Sequence, residues 1–199
     1  MQRSLVGSEM CIRDSYEEAQ RQSPRDDTRF IVIHSQMARS DQIERMSRLE
    51  AIPSFFITHT YFWGDRHYAI FMGPERAVRM SPTGDALRCN LPFTLHNDTF
   101  VTPIDPLLLV WSAVNRLSYG GRDLGKAEQG IPVLEALKGI TINAARQGFE
   151  EGVKGSIEPG KFADFVVLDE NPLAVDPMHL KDIEIAATIV GDVLAYGAL

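Results

Sequence analysis

Three short apolar runs, each closed by a polar side chain able to hold a metal or make hydrogen bonds, constrain this chain most. Residues 30–33 (Phe-Ile-Val-Ile) lead into His34. Residues 52–58 lead into His59, with Pro53 near the start, where a strand tolerates it. Residues 93–98 close on His96, Asn97 and Asp98. A continuous apolar run suits a strand buried on both faces, as in a parallel sheet. Side chains alternate along a strand, so Thr94, His96 and Asp98 share one face and Phe93 and Leu95 the other. In a barrel of parallel strands the polar set points into the mouth. Asp98 then falls at the C-terminal strand end, where such barrels carry active sites. A surface edge strand with its polar face in water alternates in the same way, and the pattern alone leaves both readings open.

Helical signals lie between the runs. Residues 16–22 form a short polar helix candidate closed by Ser23-Pro24. Asp41 with Glu44 is a capping-box-like start, followed by Ile43, Met46 and Leu49 at helical spacing. Asp105-Pro106 is an N-cap with proline at the first position. Leu107, Val110, Trp111 and Val114 then form one stripe, and Gly120-Gly121 is the expected stop. Residues 132–137 and 141–147 read as two more helices, with Thr141 as the cap of the second.

After Gly148 the character changes. Turn signals at Gly155, Pro159 and Gly160 precede strand-like residues 163–168, 185–190 and 193–196, and Gly191-Asp192 has the composition of a two-residue hairpin loop. The order is an α/β part over residues 16–150, then an all-β part over 151–199. Residues 1–15 show no sustained period and no signal-peptide core, and resemble translated sequencing-adaptor sequence. They are set aside as a non-native segment, a native disordered tail being the alternative.

Composition narrows the function. The chain has 20 Lys+Arg against 27 Asp+Glu, a net charge of −7, which argues against a nucleic-acid partner. With 44% apolar and 24% charged residues, it has the make-up of a folded globular protein. No apolar run approaches the roughly 18 residues of a membrane span. Cys11 and Cys89 cannot build a disulfide framework, which fits a reducing compartment, and a cytoplasmic location is the default expectation. The oligomeric state is not legible.

Five motifs in order carry a resemblance. Phe30-Ile31-Val32-Ile33-His34-Ser35-Gln36 resembles the sixth-strand signature of the amidohydrolase superfamily, in its family 3 branch, which includes N-substituted formamide deformylase-like enzymes. Residues 52–59 with Trp63-Gly64-Asp65-Arg66-His67 resemble that branch's seventh strand and following loop. Residues 93–98 with Val101-Thr102-Pro103 and Asp105-Pro106-Leu107 resemble its eighth. Thr141-Ile142-Asn143-Ala144-Ala145 resembles a helix of the family. Residues 155–161 with Ala163-Asp164 resemble its return into a small β domain. Ile33 and Asn97 depart from the branch's common Glu and Ser, and neither change removes a ligand.

The resemblance implies an α/β fold: strands six to eight of a metal-dependent hydrolase (β/α)₈ TIM barrel, followed by part of a small β-sandwich. It implies hydrolysis of non-peptide carbon–nitrogen bonds in a small amide or formamide-type substrate. His34 and Asp98 become metal ligands, and Asp98 also the general base. His59, Trp63, Asp65 and His96 become substrate contacts. The cofactor is a divalent metal, expected to be zinc, as one or two ions. The bland readings are a satisfied core histidine for His34, a turn former for Asp98, loop packing for the seventh-strand residues and a structural role for His96. The five histidines are His34, His59, His67, His96 and His179, and no His-x-His pair occurs. The family's first-strand ligands are thus not in this chain. The expectation is a C-terminal part of an enzyme, inactive by itself, the alternative being a non-catalytic truncated homologue with an interaction or structural role.

Overall fold

Parallel strands need a long return over the sheet, usually helical, and the helical signals between the apolar runs supply it. The computed structural model describes residues 8–198, with side chains described from residue 14 onward. Helix α1 (Ser8–Gln22) leads to β1 (Ile31–His34), α2 (Ser40–Arg48), β2 (Ile52–Phe55) and α3 (Thr58–Arg66). The last runs straight into a π-helical turn, His67–Phe71. Then come α4 (Pro74–Ala77), α5 (Thr83–Arg88), β3 (Thr94–Leu95), α6 (Pro106–Asn115), α7 (Lys126–Gln129), α8 (Val133–Ile140) and α9 (Ile142–Gln147). Strands β1, β2 and β3 form one parallel sheet in that order, with Ile31 beside Ile52, His34 beside Phe55, and Phe55 beside Leu95.

Pro53 lies inside the central strand without disrupting it. Ile52 N donates to Phe30 O. The backbone at Pro53 therefore faces the other neighbour, and the ladder with β3 begins only at Ser54. All four residues of β2 are buried. Phe55, Phe93 and Leu95 join Val110, Trp111 and Ala136 in the main core. Gly139 lets α8 pack close against β3, since a Cβ there would stand 3.1 Å from Leu95 Cγ.

Several sequence expectations are corrected. Helix α1 begins at Ser8, so part of the set-aside segment is helical; residues 1–7 lie outside the described residues. Helix α2 is closed by Gln42 Oε1, which accepts from Arg39 N at 2.9 Å, rather than by Asp41 and Glu44. Helix α6 has the expected Asp105 cap, with Oδ1 accepting from Leu108 N at 2.9 Å. It is not a striped surface helix: every residue from Leu107 to Asn115 is buried. The reason is that α6 lies between α8 and the 3₁₀ turn Pro177–Asp182, to whose carbonyls Trp111 Nε1 and Asn115 Nδ2 donate. It stops at Arg116 in a left-handed conformation, before the two glycines. Thr141 precedes α9, but its hydroxyl donates back to Leu137 O and caps nothing.

The C-terminal residues form a separate antiparallel sheet of β4 (Phe165–Leu168), β5 (Ile185–Val190) and β6 (Val193–Gly197). Gly191 and Asp192 turn the last hairpin with φ of 57° and 68°, which a type I′ turn requires. The strands of this sheet are mostly exposed, while Leu180 and Ile183 of the preceding segment anchor into the main core. Among the described residues no helix is long and apolar enough to cross a membrane.

Candidate metal centre

The C-terminal ends of the parallel strands bring three donors together. His34 is the last residue of β1. His34 and Ser35 turn the chain out of the strand with φ of 65° and 45°, and Ser35 Oγ donates to Val32 O to hold the turn. His96 follows β3, and its backbone N donates to Phe55 O. Asp98 lies two residues further, with φ of 53°. His34 Nε2 and Asp98 Oδ2 are 3.4 Å apart. One ligand atom each from His34, His96 and Asp98 fall within 4.8 Å of one another.

Strand alternation did not produce this cluster in the expected way. Strand β3 spans only Thr94–Leu95. Thr94 belongs to a different contact, its hydroxyl donating to Gln147 Oε1. Asp98 reaches the histidines because the chain turns back at Asn97 and Asp98, with Val101 N donating to Asp98 O.

The chemistry of the donors fits a cation. His96 Nδ1 is 2.8 Å from Ser54 Oγ, which fixes the ring, while Nε2 is buried and has no hydrogen-bond partner. An unpartnered buried nitrogen is costly unless something else engages it, and a second-side anchor of this kind is what orients a metal-bound imidazole. Burial, with His34 nearby, holds the His96 imidazole down to about 4, so it is neutral and its lone pair available at pH 7. His34 and Asp98 are partly exposed, at 35% and 40% of their side chains, so the cluster opens to solvent on one side.

The remaining predicted site residues divide. His59 and Trp63 lie not in a loop but on α3, which begins three residues after β2 ends. Their rings are 4.8 Å apart, and Phe56 contacts His59, Trp63, His34 and His96. Asp65, on the same helix, accepts from Gly120 N and Arg122 Nε and is not joined to the histidines. His67, unassigned by the sequence pattern except as part of the same loop, opens the π-helical turn and stands 3.1 Å from His59. His179 is exposed. Gln36 and Ser54 carry only a weak sequence signal: Gln36 lies two residues past His34, and Ser54 is the one polar residue between Ile52 and Ile57.

A cation-competent cluster at the ends of parallel strands defines a class: an α/β protein with metal-competent donors gathered at the mouth of its sheet. Residues 7–196 match the model of the amidohydrolase family, and the chain belongs to that family. It is 28% identical over 190 residues to N-substituted formamide deformylase of Arthrobacter pascens, covering 93% of this chain and 34% of that protein. It is 30% identical over 172 residues to the putative amidohydrolase YtcJ of Bacillus subtilis (strain 168), covering 83% and 31%. The fold resembles that of an uncharacterized metal-dependent hydrolase from Pyrococcus horikoshii OT3. The TM-score is 0.68 at 24% identity, over 84% of this chain and 33% of that one. The chain spans about a third of the length of the curated relatives it matches.

Proposed function

We propose that this chain is the C-terminal part of a metal-dependent hydrolase that cleaves a non-peptide carbon–nitrogen bond in a small amide or formamide-type substrate. In this reading β1, β2 and β3 are the sixth to eighth strands of a (β/α)₈ barrel, residues 16–150 belong to the barrel, and the β4–β6 sheet is part of a β-sandwich. The observation that carries it is the convergence of His34, His96 and Asp98, one ligand atom each within 4.8 Å of one another, with His34 Nε2 3.4 Å from Asp98 Oδ2.

His34 and Asp98 hold the cation, and His96 is a third candidate ligand. Two imidazoles and a carboxylate suit zinc. When bound, zinc supplies the Lewis acidity that makes water nucleophilic near neutral pH. The chain's own residues do the rest. Asp98 accepts the proton of the attacking water and delivers it to the departing amine. Ser54 keeps the His96 ring in place. Phe56 and Trp63 give one wall an apolar surface that excludes water. Asp65 acts only indirectly, by tying the loop at Gly120 and Arg122 to α3.

Three ligands without a first-strand His-x-His pair leave the set short of the family's full site, so the 199-residue chain by itself is inactive. The test is to extend the reading frame upstream and assay the longer protein for amine release from small formamides and amides. Metal-dependent turnover, abolished in Asp98→Ala, is the expected result. An extension without a His-x-His strand, or turnover indifferent to chelators, defeats the reading.

A further inference from the structure

The orientation of one side chain amide settles where a neighbouring imidazole carries its hydrogen. Gln36 is buried, and its Nε2 lies 3.0 Å from Met80 Sδ and 2.8 Å from His59 Nδ1. A thioether has no hydrogen to give, so the group facing Met80 is the amide NH₂ rather than its carbonyl. The second hydrogen of that NH₂ then points at His59 Nδ1, which must be a bare acceptor. His67 Nε2 stands 3.1 Å from the same atom, whose one in-plane lone pair is already taken by the nearer Gln36 hydrogen. The other His67 nitrogen, Nδ1, is buried and has no partner. The Gln36 amide thus sets the tautomer of His59.

Met80 is itself fixed. Arg116 is fully buried, and its guanidinium donates to Met80 O, Ser81 O and Leu124 O. Ser81 N donates back to Gln36 O at 2.7 Å. The lock on His59 is therefore anchored in the core and not in a surface loop. Burial, then His67 and His34, holds the His59 imidazole down to about 4, so it is neutral at pH 7. A neutral imidazole with a bare Nδ1 has its single hydrogen on Nε2. Among the described residues no protein group takes that hydrogen. His59 contacts the Phe56 ring at 5.2 Å, and His34 and His96 contact the same ring at 6.0 and 5.7 Å.

We propose that His59 presents its Nε2–H to the carbonyl oxygen of the substrate, with Gln36 as the positioning residue that fixes this tautomer. The inference rests on the hydrolase reading above. As water oxygen bonds to the carbonyl carbon, the C=O π pair moves onto oxygen, and the His59 donor meets the charge developing there. When that pair returns, the C–N bond breaks, and nitrogen leaves with its electron pair and takes the proton held by Asp98. A neutral imidazole suits this role because it donates without needing to be charged, and a donor already in place needs no rearrangement.

The test has two parts. Imidazole ¹⁵N NMR of the 199-residue chain reads the tautomer directly, and His59 protonated at Nε2 is expected. A resonance protonated at Nδ1, or one that titrates like a solvent-exposed histidine, overturns the proposal without any substrate. In the extended protein, Gln36→Glu puts a carboxylate against Nδ1, draws the hydrogen there and strips Nε2. kcat should fall by about 100-fold or more, KM should move far less, and zinc content should not change. His59→Leu, which removes the donor outright, gives the same split and serves if Gln36→Glu does not fold. Unchanged kcat in either folded variant overturns the proposal. An inert wild type with an Nε2–H tautomer defeats the hydrolase reading, and the substrate-facing role of His59 falls with it, while the lock stands.

Discussion

Two polar centres lie within this chain, and they treat their carboxylates in opposite ways. Asp85, only 6% exposed, is closed: Ser40 Oγ and Arg79 Nη2 donate to Oδ2, and Gln129 Nε2 and Arg88 Nη2 donate to Oδ1. Burial works to raise its pKa, yet the hydrogen bonds from Gln129, Arg79 and Ser40 win and hold it below the ordinary range. Asp98 is open, with one imidazole nitrogen at 3.4 Å and water on its free side. The basic groups repeat the contrast. Every arm of buried Arg116 ends on a backbone carbonyl, whereas His96 keeps Nε2 unpartnered. Polar groups that hold a fold together are saturated. The groups at the mouth of the sheet keep capacity for a ligand, as His96 Nε2 and the open side of Asp98 do.

The comparison can be broken from the closed side first. Arg116→Leu leaves Met80 O and Leu124 O without a donor, while Ser81 O keeps Thr83 N, and should cost about 4 kcal/mol, read as a lowered urea midpoint. An Arg116→Leu chain as stable as the wild type would remove the distinction. Asp85→Ala should cost about 3 kcal/mol by the same measurement, because Gln129 and the Asp85 backbone lose their mutual support. On the open side, acid should loosen the metal-free chain. His59 titrates near 4 when folded and near 6.5 when unfolded. The unfolded chain therefore binds more protons between those values. Stability is full above about 6.5 and falls as pH drops towards 4, by about 3 kcal/mol for this group. His59→Phe should flatten that slope, and an unchanged slope would place the titration elsewhere. The smallest effect should come from His96→Leu: stability within about 1 kcal/mol of wild type, since the lost contact between Nδ1 and Ser54 Oγ is offset by replacing the unpartnered Nε2 with an apolar group. Cobalt binding should weaken by about tenfold or more in the same variant, and a large loss of stability would show that His96 holds the fold.

The parallel strands were legible because β1 and β2 are continuous apolar runs; burial on both faces holds for the central strand β2, whereas in the edge strand β1 Ile33 is 53% exposed. The hairpin at Gly191-Asp192 was legible because two successive positive φ angles restrict the residues that fit. The meeting of His34 with Asp98 was read from the resemblance, not from periodicity, and the turn that delivers Asp98 carries no pattern of its own. All-round burial of α6 was hidden because its cover is the distant 3₁₀ turn at Pro177–Asp182, a tertiary fact no local stripe reports. The Gln36–His59–His67 lock escaped for the same reason. Its logic depends on a sulfur from Met80, and nothing in the spacing of residues 36, 59, 67 and 80 brings them together.

His34 and Asp98 both hold the left-handed backbone conformation. A residue bearing a β-carbon gives up about 1 kcal/mol there, less for aspartate, and glycine gives up almost nothing. Glycine at either position would relax the turn while erasing the chemistry. The donor cluster at this mouth is thus kept against a local thermodynamic gradient: without selection for its side chains, drift towards a sturdier and silent protein would begin at these two residues.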